Sequence, residues 1–508
     1  MKIGFEHYIV LILLLLATLA VQPVRSLAQN AESATIKKQA DLLGVQGCLT
    51  SNCHGNKVET AKLWNRAGDI WDQTDPHAFA YVNLRTKLSL EIVQKLWDAK
   101  EQPMVDSVDD ARYYRFVENN CVSCHATELA PMSDREHGVD CQVCHGPARG
   151  WDDFHYSPGW EDTAKRFDTN DGKGRVDTKN PWLLASICGS CHIGDLKRSD
   201  AGILHDGTKV PVQPREVSHR LMAAGHPPTY FEFGHYLARY PKHWWDQDLQ
   251  PLDAAYNSTR TVITQTIASR SLDTWRIGKI VHAKQRLELL GNRLDNTEWP
   301  EFTEHRCTSC HHPIDQPRKL TGQKKKPMAQ WDGWYLEHVD LALSITQFEN
   351  SGPPSAPFSH AKVIEWIASR DQLQALLQDP MLVHQQRHQQ EAKVLIDRLI
   401  AILNDVTARH LPMVASEQLA ANKKAWLKLQ VESIEDMSWE SAVQLKLAAQ
   451  AIAHEMAPES PYPNYPRQNW DLSTEKWNVS QAIPYRNSEL FDWSRFAEEL
   501  QQILKTLD

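Results

Sequence analysis

After Val21 the 508-residue sequence has no apolar run approaching the roughly 20 residues that a membrane-spanning helix needs, which excludes a polytopic helical membrane protein. An excess of positive charge is also missing: 55 Lys and Arg stand against 64 Asp and Glu, for a formal net charge of −9. That balance disfavours a polyanionic nucleic acid as partner and fits a basic patch on another protein. The one short basic run, Lys324-Lys325-Lys326, reads as a solvated loop. His384 and His388 have the spacing of a helical zinc pair, but the Glu that a metalloprotease places after its first His is absent, so they read as a solvated helix face. Finally, there is no cysteine outside five short motifs.

Those motifs are Cys48-Leu-Thr-Ser-Asn-Cys53-His54, Cys121-Val-Ser-Cys124-His125, Cys141-Gln-Val-Cys144-His145, Cys188-Gly-Ser-Cys191-His192 and Cys307-Thr-Ser-Cys310-His311. Each has the pattern of a covalent c-type haem site, in which two thiols bond the porphyrin edge and the adjacent His ligates iron. The first has four residues between its cysteines, so its loop must bulge. Paired Cys-x-x-Cys could instead hold structural zinc, and ten exported cysteines could form five disulfides. Neither alternative requires His after the second Cys, yet His follows it in all five motifs although only 23 of 508 residues are His. Five covalent haem c groups are therefore expected.

The compartment is read from the first segment. Lys2 precedes an apolar run from Ile9 to Leu16 that extends to Val21, and Ser26-Leu27-Ala28 offers small residues at the positions a signal peptidase reads. Residues 1–28 are expected to be a cleaved signal peptide, giving a periplasmic or secreted protein without a membrane span. Removing them, with Lys2 and Arg25 against Glu6, takes the charge to −10.

A hydrophobic fraction of 42% suffices for packed cores, and about 480 mature residues predict two or three domains. Residues 29–327 hold every motif and show little sustained periodicity, as expected where porphyrins supply much of the apolar core. One clearer helix carries Ile280, Ala283, Leu287 and Leu290 on a stripe, with Asp273 as cap and Gly291 as stop. Residues 328–508 lack cysteine and are expected to form a helical bundle. Leu395, Leu399, Ile402 and Val406 make one stripe there, and Ser488 can cap a last helix bearing Trp493, Phe496, Leu500 and Ile503. The Pro-rich segments 351–357 and 457–466 are expected to be non-helical. The fold class is thus mainly α: a multihaem cytochrome c domain with little regular sheet, followed by a helical bundle.

Trp71-Asp-Gln-Thr-Asp-Pro-His77-Ala-Phe-Ala-Tyr81 after the first motif, then the second motif, then Gly138-Val-Asp-Cys141-Gln-Val-Cys144-His145-Gly-Pro147, resembles the cytochrome c-554/c-prime type multihaem cytochromes. Segments 225–233, 240–244 and 299–312 are similar to larger bacterial members with a fifth motif, so the resemblance covers roughly 45–350. It implies that His77 and His155 are distal iron ligands swapped between neighbouring haems. His226 is then expected on the fourth haem and His243 on the fifth, with His312 structural. Four distal candidates serve five irons. In the resembled family the second haem is five-coordinate, which makes the haem of His125 the candidate open site, unless His137 fills it.

The expected function is electron transfer along stacked, mostly two-histidine haems, between redox protein partners. The alternative is an oxidoreductase acting on a small nitrogen or sulfur compound at an open haem. Pentahaem nitrite reductases commonly use Lys in place of the catalytic motif's His, and no motif here does. Substrate, redox partner, potentials and oligomeric state are not legible in the sequence.

Overall fold

The computed structural model describes residues 42–58, 61–97, 104–128, 130, 132–157, 175–196, 202–203, 209–210, 213–241, 243, 271–295, 299–311, 330–346, 360–378, 386–411, 438–456, 496, 498 and 501–502. The expected signal peptide, the Pro-rich segments, the Ser488 cap, His312, His384 and the triple lysine lie outside them. The fold is mainly helical. Its regular strands, among the described residues, are the two-residue antiparallel pair Gly202–Ile203 and Lys209–Val210.

In the motif-bearing part the helices are short and strongly capped. They are α1 (Ala67–Thr74), α2 (Lys87–Leu96), α3 (Ala111–Asn120), α4 (Val122–His125), α5 (Cys141–His145), α6 (Pro181–His192), α7 (His219–Ala224) and α8 (Phe233–Arg239). Thr86, Asp110, Asp140, Asn180, Ser218 and Glu232 cap α2, α3, α5, α6, α7 and α8, each accepting a first-turn backbone N–H. Caps matter here because helices of four to twelve residues are marginal by themselves.

The later helices are longer: α9 (Ser271–Asp295), α10 (Val339–Ser344), α11 (Ala361–Leu377), α12 (Gln386–Arg409) and α13 (Trp439–Met456). Ile280, Ala283, Leu287 and Leu290 are all buried on α9, and Leu395, Leu399, Ile402 and Val406 on α12. Two sequence expectations about α9 are corrected. Gly291 does not stop the helix, which continues to Asp295, and a Cβ there would make an ordinary contact with Ile396 at 3.6 Å. Asp273 lies inside the first turn and binds Arg276 at 2.8 Å.

Packing crosses the expected boundary at 327/328. α9 packs against α6 and α8 on one side and against α10, α12 and α13 on the other. One apolar core joins Trp182, Phe231 and Phe233 to Trp334, Trp366 and Leu399. Polar groups reinforce the same junction. Arg276 donates to Thr346 Oγ1 and the Leu411 carbonyl, both at 3.0 Å, and Lys279 Nζ bonds the Trp334 carbonyl and Gln444 Oε1. Burial pushes Lys279 down to about 8.

Glu304 is fully buried between Arg286, at 3.0 Å, and Arg293, while Arg293 also reaches Glu216 at 2.7 Å. Burial opposes its charge, but the two guanidiniums hold its carboxyl below the ordinary value. Glu304→Gln leaves two buried cations underpaired and is expected to cost about 3–5 kcal/mol. Denaturant unfolding against pH checks this. The lowered folded-state value makes the wild-type advantage complete above 4.5, the ordinary glutamate value, and lost as pH falls through the folded-state value.

Candidate metal and cofactor sites

Every motif is placed by local structure that the sequence encodes directly. The second follows α3 and becomes α4; the third is α5 itself, capped by Asp140; the fourth is the end of α6, started by Asn180 and Pro181. The fifth begins in a 3₁₀ turn, Cys307–Ser309. The long first motif folds its extra residues into a turn, with Cys53 N–H donating to Thr50 O and His54 N–H to Cys48 O. Gly55 is required there, since a Cβ would fall 2.0 Å from the Leu49 carbonyl oxygen.

Each motif histidine faces one histidine from elsewhere in the chain. His54 faces His155 with 6.2 Å between ring centroids, His125 faces His226 at 6.3 Å, and His145 faces His243 at 6.1 Å. His192 faces His77 at 6.2 Å, and His311 faces His219 at 6.3 Å. Two imidazoles binding opposite sides of one metal, with metal–nitrogen bonds of about 2.0 Å, have centroids about 6.2 Å apart. Five pairs match that span.

The ring nitrogens agree. Nδ1 of His54, His125 and His226 bonds the carbonyls of Trp64, Ala80 and Pro227 at 2.6, 2.9 and 2.8 Å, and Nδ1 of His155 that of Asp152. Nδ1 of His145 meets the Thr178 hydroxyl at 3.5 Å, and Nδ1 of His77 meets Asp75 at 2.9 Å. Anchoring Nδ1 directs Nε2 toward the facing ring, the usual outer-shell arrangement of a metal-bound His. Three other histidines use Nε2 instead: His282 on Ala185 O, His338 on Ser441 O and His137 on Gln46.

The pairing departs from the sequence expectations at His226 and His243, and it places His77 and His137, for which no motif had been fixed. His226 stands opposite His125 of the second motif, where the open site was expected, and not opposite His192. His77 takes that place opposite His192. His243 faces the third motif rather than the fifth. His137 binds Gln46 and faces no motif histidine. The fifth partner, His219, went unseen in the sequence. It opens α7, held by Glu301 accepting its backbone N–H at 2.8 Å, and Phe302 lies edge-on to its ring at 5.5 Å. Its signal was there in outline: Ser218 is a cap residue, and Gly225 closes the helix just before His226.

Burial disfavours the protonated form of six of the ten paired rings, the direction that ligation requires. Burial pushes His192 down to about 3 and His226 to about 4, and lowers His54, His125, His145 and His243. His77 goes the other way: burial opposes protonation, but the Asp75 bond raises it. Burial also lifts the thiols, Cys48 to about 11 and Cys121 and Cys188 to about 12. No two cysteines are disulfide-bonded, and among the described residues no three His, Cys, Asp or Glu side chains cluster to hold a bare metal. Zinc needs four such ligands, whereas haem would need only two beside its porphyrin, and neutral thioethers suit sulfurs whose ionisation is disfavoured. His305, buried beside the fifth motif, has no bond to either ring nitrogen among the described residues, a deficit that a polar edge of a bound group would remove. The residues fit haem c.

The motifs also have an order in space. Cys48 and Cys141 lie close enough for one thiol to raise the other, as do Cys144 and Cys188, and the Cys124 thiol lies within hydrogen-bonding reach of the Cys191 thiol. His219 and His226, from one end of α7 to just past the other, tie the fifth pair to the second. The sequence is first, third, fourth, second, fifth. Cys53, Cys307 and Cys310 are exposed, and the other seven cysteines are partly buried, so the two ends of this order face solvent.

Among the described residues no helix is long and apolar enough to cross a membrane. Comparison with family models, curated proteins and solved structures finds no match to the chain.

Arg215 fastens the centre of the order. Its side chain donates to Ser123 O and Ser190 Oγ, both at 2.8 Å, joining the second and fourth motifs, while its backbone pairs with Asp195. Arg215→Met removes both charge-assisted bonds and is expected to destabilise the fold by about 1.5–3 kcal/mol. A lower denaturant midpoint with an unchanged slope is the measurement that checks it.

Proposed function

We propose that this protein is an exported pentahaem c-type cytochrome whose function is electron transfer, with every iron held between two histidines. The observation that carries this reading is the pairing of all five motif histidines with a second imidazole at 6.1–6.3 Å. Haem c bound at each motif supplies reversible one-electron chemistry at iron.

The chain's own residues then do three things. The cysteines fix each group covalently, so none is lost during turnover. The paired histidines would hold the iron from both sides, which would leave no position for a small molecule. Nδ1 partners orient six of the ten rings, which would limit rearrangement of those ligands when charge is gained or lost. The expectation of an open haem at His125 supplied the foothold for the small-molecule oxidoreductase; with His226 opposite His125, electron carriage is the better-supported reading. Redox proteins are proposed to dock at the exposed first and fifth motifs, and the acidic surface favours a basic partner patch.

Intact mass is expected to exceed the mature polypeptide by five groups of about 0.6 kDa, the mass of each thioether-bound haem. The ferric protein is expected to be wholly low-spin, and its ferrous form not to bind carbon monoxide. His226→Ala should open one carbon monoxide site, at the second motif, and His137→Ala none. A high-spin component in the wild type, unchanged by His226→Ala, would overturn the assignment.

A further inference from the structure

Among the six imidazoles with an anchored Nδ1 described above, His77 is the one whose partner is a carboxylate. Asp75 is 2% exposed, and both its oxygens are engaged. Oδ1 accepts from the His77 backbone N–H at 3.0 Å and faces His77 Nδ1 at 2.9 Å; Oδ2 accepts from the Tyr240 hydroxyl. The His77 backbone is held as well. Its carbonyl accepts from Val139 N–H at 2.9 Å, and Gly138, at φ +69°, approaches so near that a Cβ would lie 2.3 Å from that oxygen. These contacts fix the backbone turn from which the ring projects toward Asp75.

A neutral carbonyl accepting the Nδ1 proton polarises an imidazole a little; a buried carboxylate polarises it far more, giving the ring imidazolate character and raising the donor strength of Nε2. Burial preserves the effect, because little solvent intervenes to screen the charge. A more anionic axial ligand stabilises ferric over ferrous iron.

Building on the five-haem reading, we infer that Asp75 is a positioning and tuning residue that lowers the reduction potential of the site between His77 and His192, and that Tyr240 moderates it. Tyr240 draws charge from Oδ2, away from His77. The affected site belongs to the fourth motif, which is central in the spatial order of the five. The middle of the route is thereby made harder to reduce than carbonyl-anchored ligands would leave it. Electrons arriving at either exposed end would be held near that end until a partner raises the driving force across the centre.

The two residues act in opposite directions, which separates tuning from loosening. In the haem-loaded full-length protein, Asp75→Asn retains a capping side chain and is expected to shift one of five components of a spectroelectrochemical titration to higher potential. Tyr240→Phe keeps the ring against His77 and is expected to shift the same component to lower potential. Both variants should carry five covalent haems by mass and remain low-spin. Unmoved potentials in Asp75→Asn, or a shift of the same sign in both variants, would overturn the inference while leaving the five-haem reading intact. A wild-type mass without covalent haem would remove that reading, and the role of Asp75 with it.

Discussion

A metal between two imidazoles imposes one distance, and five histidine pairs here meet it with a spread of 0.2 Å. In no pair do both members come from the same motif. His155 comes back to the first motif from beyond the third, while His77 reaches forward from before the second motif to the fourth. Such crossed pairing, if each pair holds a metal, would replace what longer helices or a sheet otherwise provide. The short capped helices would then need only hold a ring at one end, and sequence-distant segments would be pinned where their rings meet.

The later helices are part of the same construction. α9 touches motif-bearing helices on one face and the cysteine-free helices on the other, and its charged residues reach the fifth site. Arg293 bridges Glu216, three residues before His219, and Glu304, three residues before Cys307. It thereby spaces the two segments that bring His219 and His311 together. A buried ion network of this kind contributes less to net stability than its Coulomb energy implies, because its members lose their hydration. What it supplies is registry: each carboxylate has a guanidinium in only one arrangement of the two segments.

The sequence carried the motifs, the helical class and the stripes on α9 and α12 openly, because cysteine–histidine spacing and a 3.6-residue period are local signals. It carried the identity of four partner histidines, but not which motif each one serves. That choice depends on where loops return in space, and the spacing of His226 from its neighbours is the same whichever motif it faces. His219 was hidden because α7 has six residues, too few for a stripe. Gly291 was misread because glycine commonly ends helices, whereas here α9 runs on through it to Asp295.

Three unrelated observations sort the five motifs alike. Thiol adjacency and the α7 link put the first and fifth at the ends of the order. Cysteine exposure picks the same two ends. The ring planes do so again: the end pairs lie at 18° and 30°, the three inner pairs at 72–87°. Solvent exposure, chain connectivity and ligand torsion have no common cause in helix propensity or core packing. They would have one in a linear conduit, whose ends must meet partners and whose middle must be shielded from them. Ligand torsion alters how strongly each imidazole mixes with the metal's orbitals, so the inner and outer sites would differ electronically even where their ligands are chemically the same. The buried carboxylate on His77 then falls in the centre of that inner set, where a change in potential bears on passage in both directions.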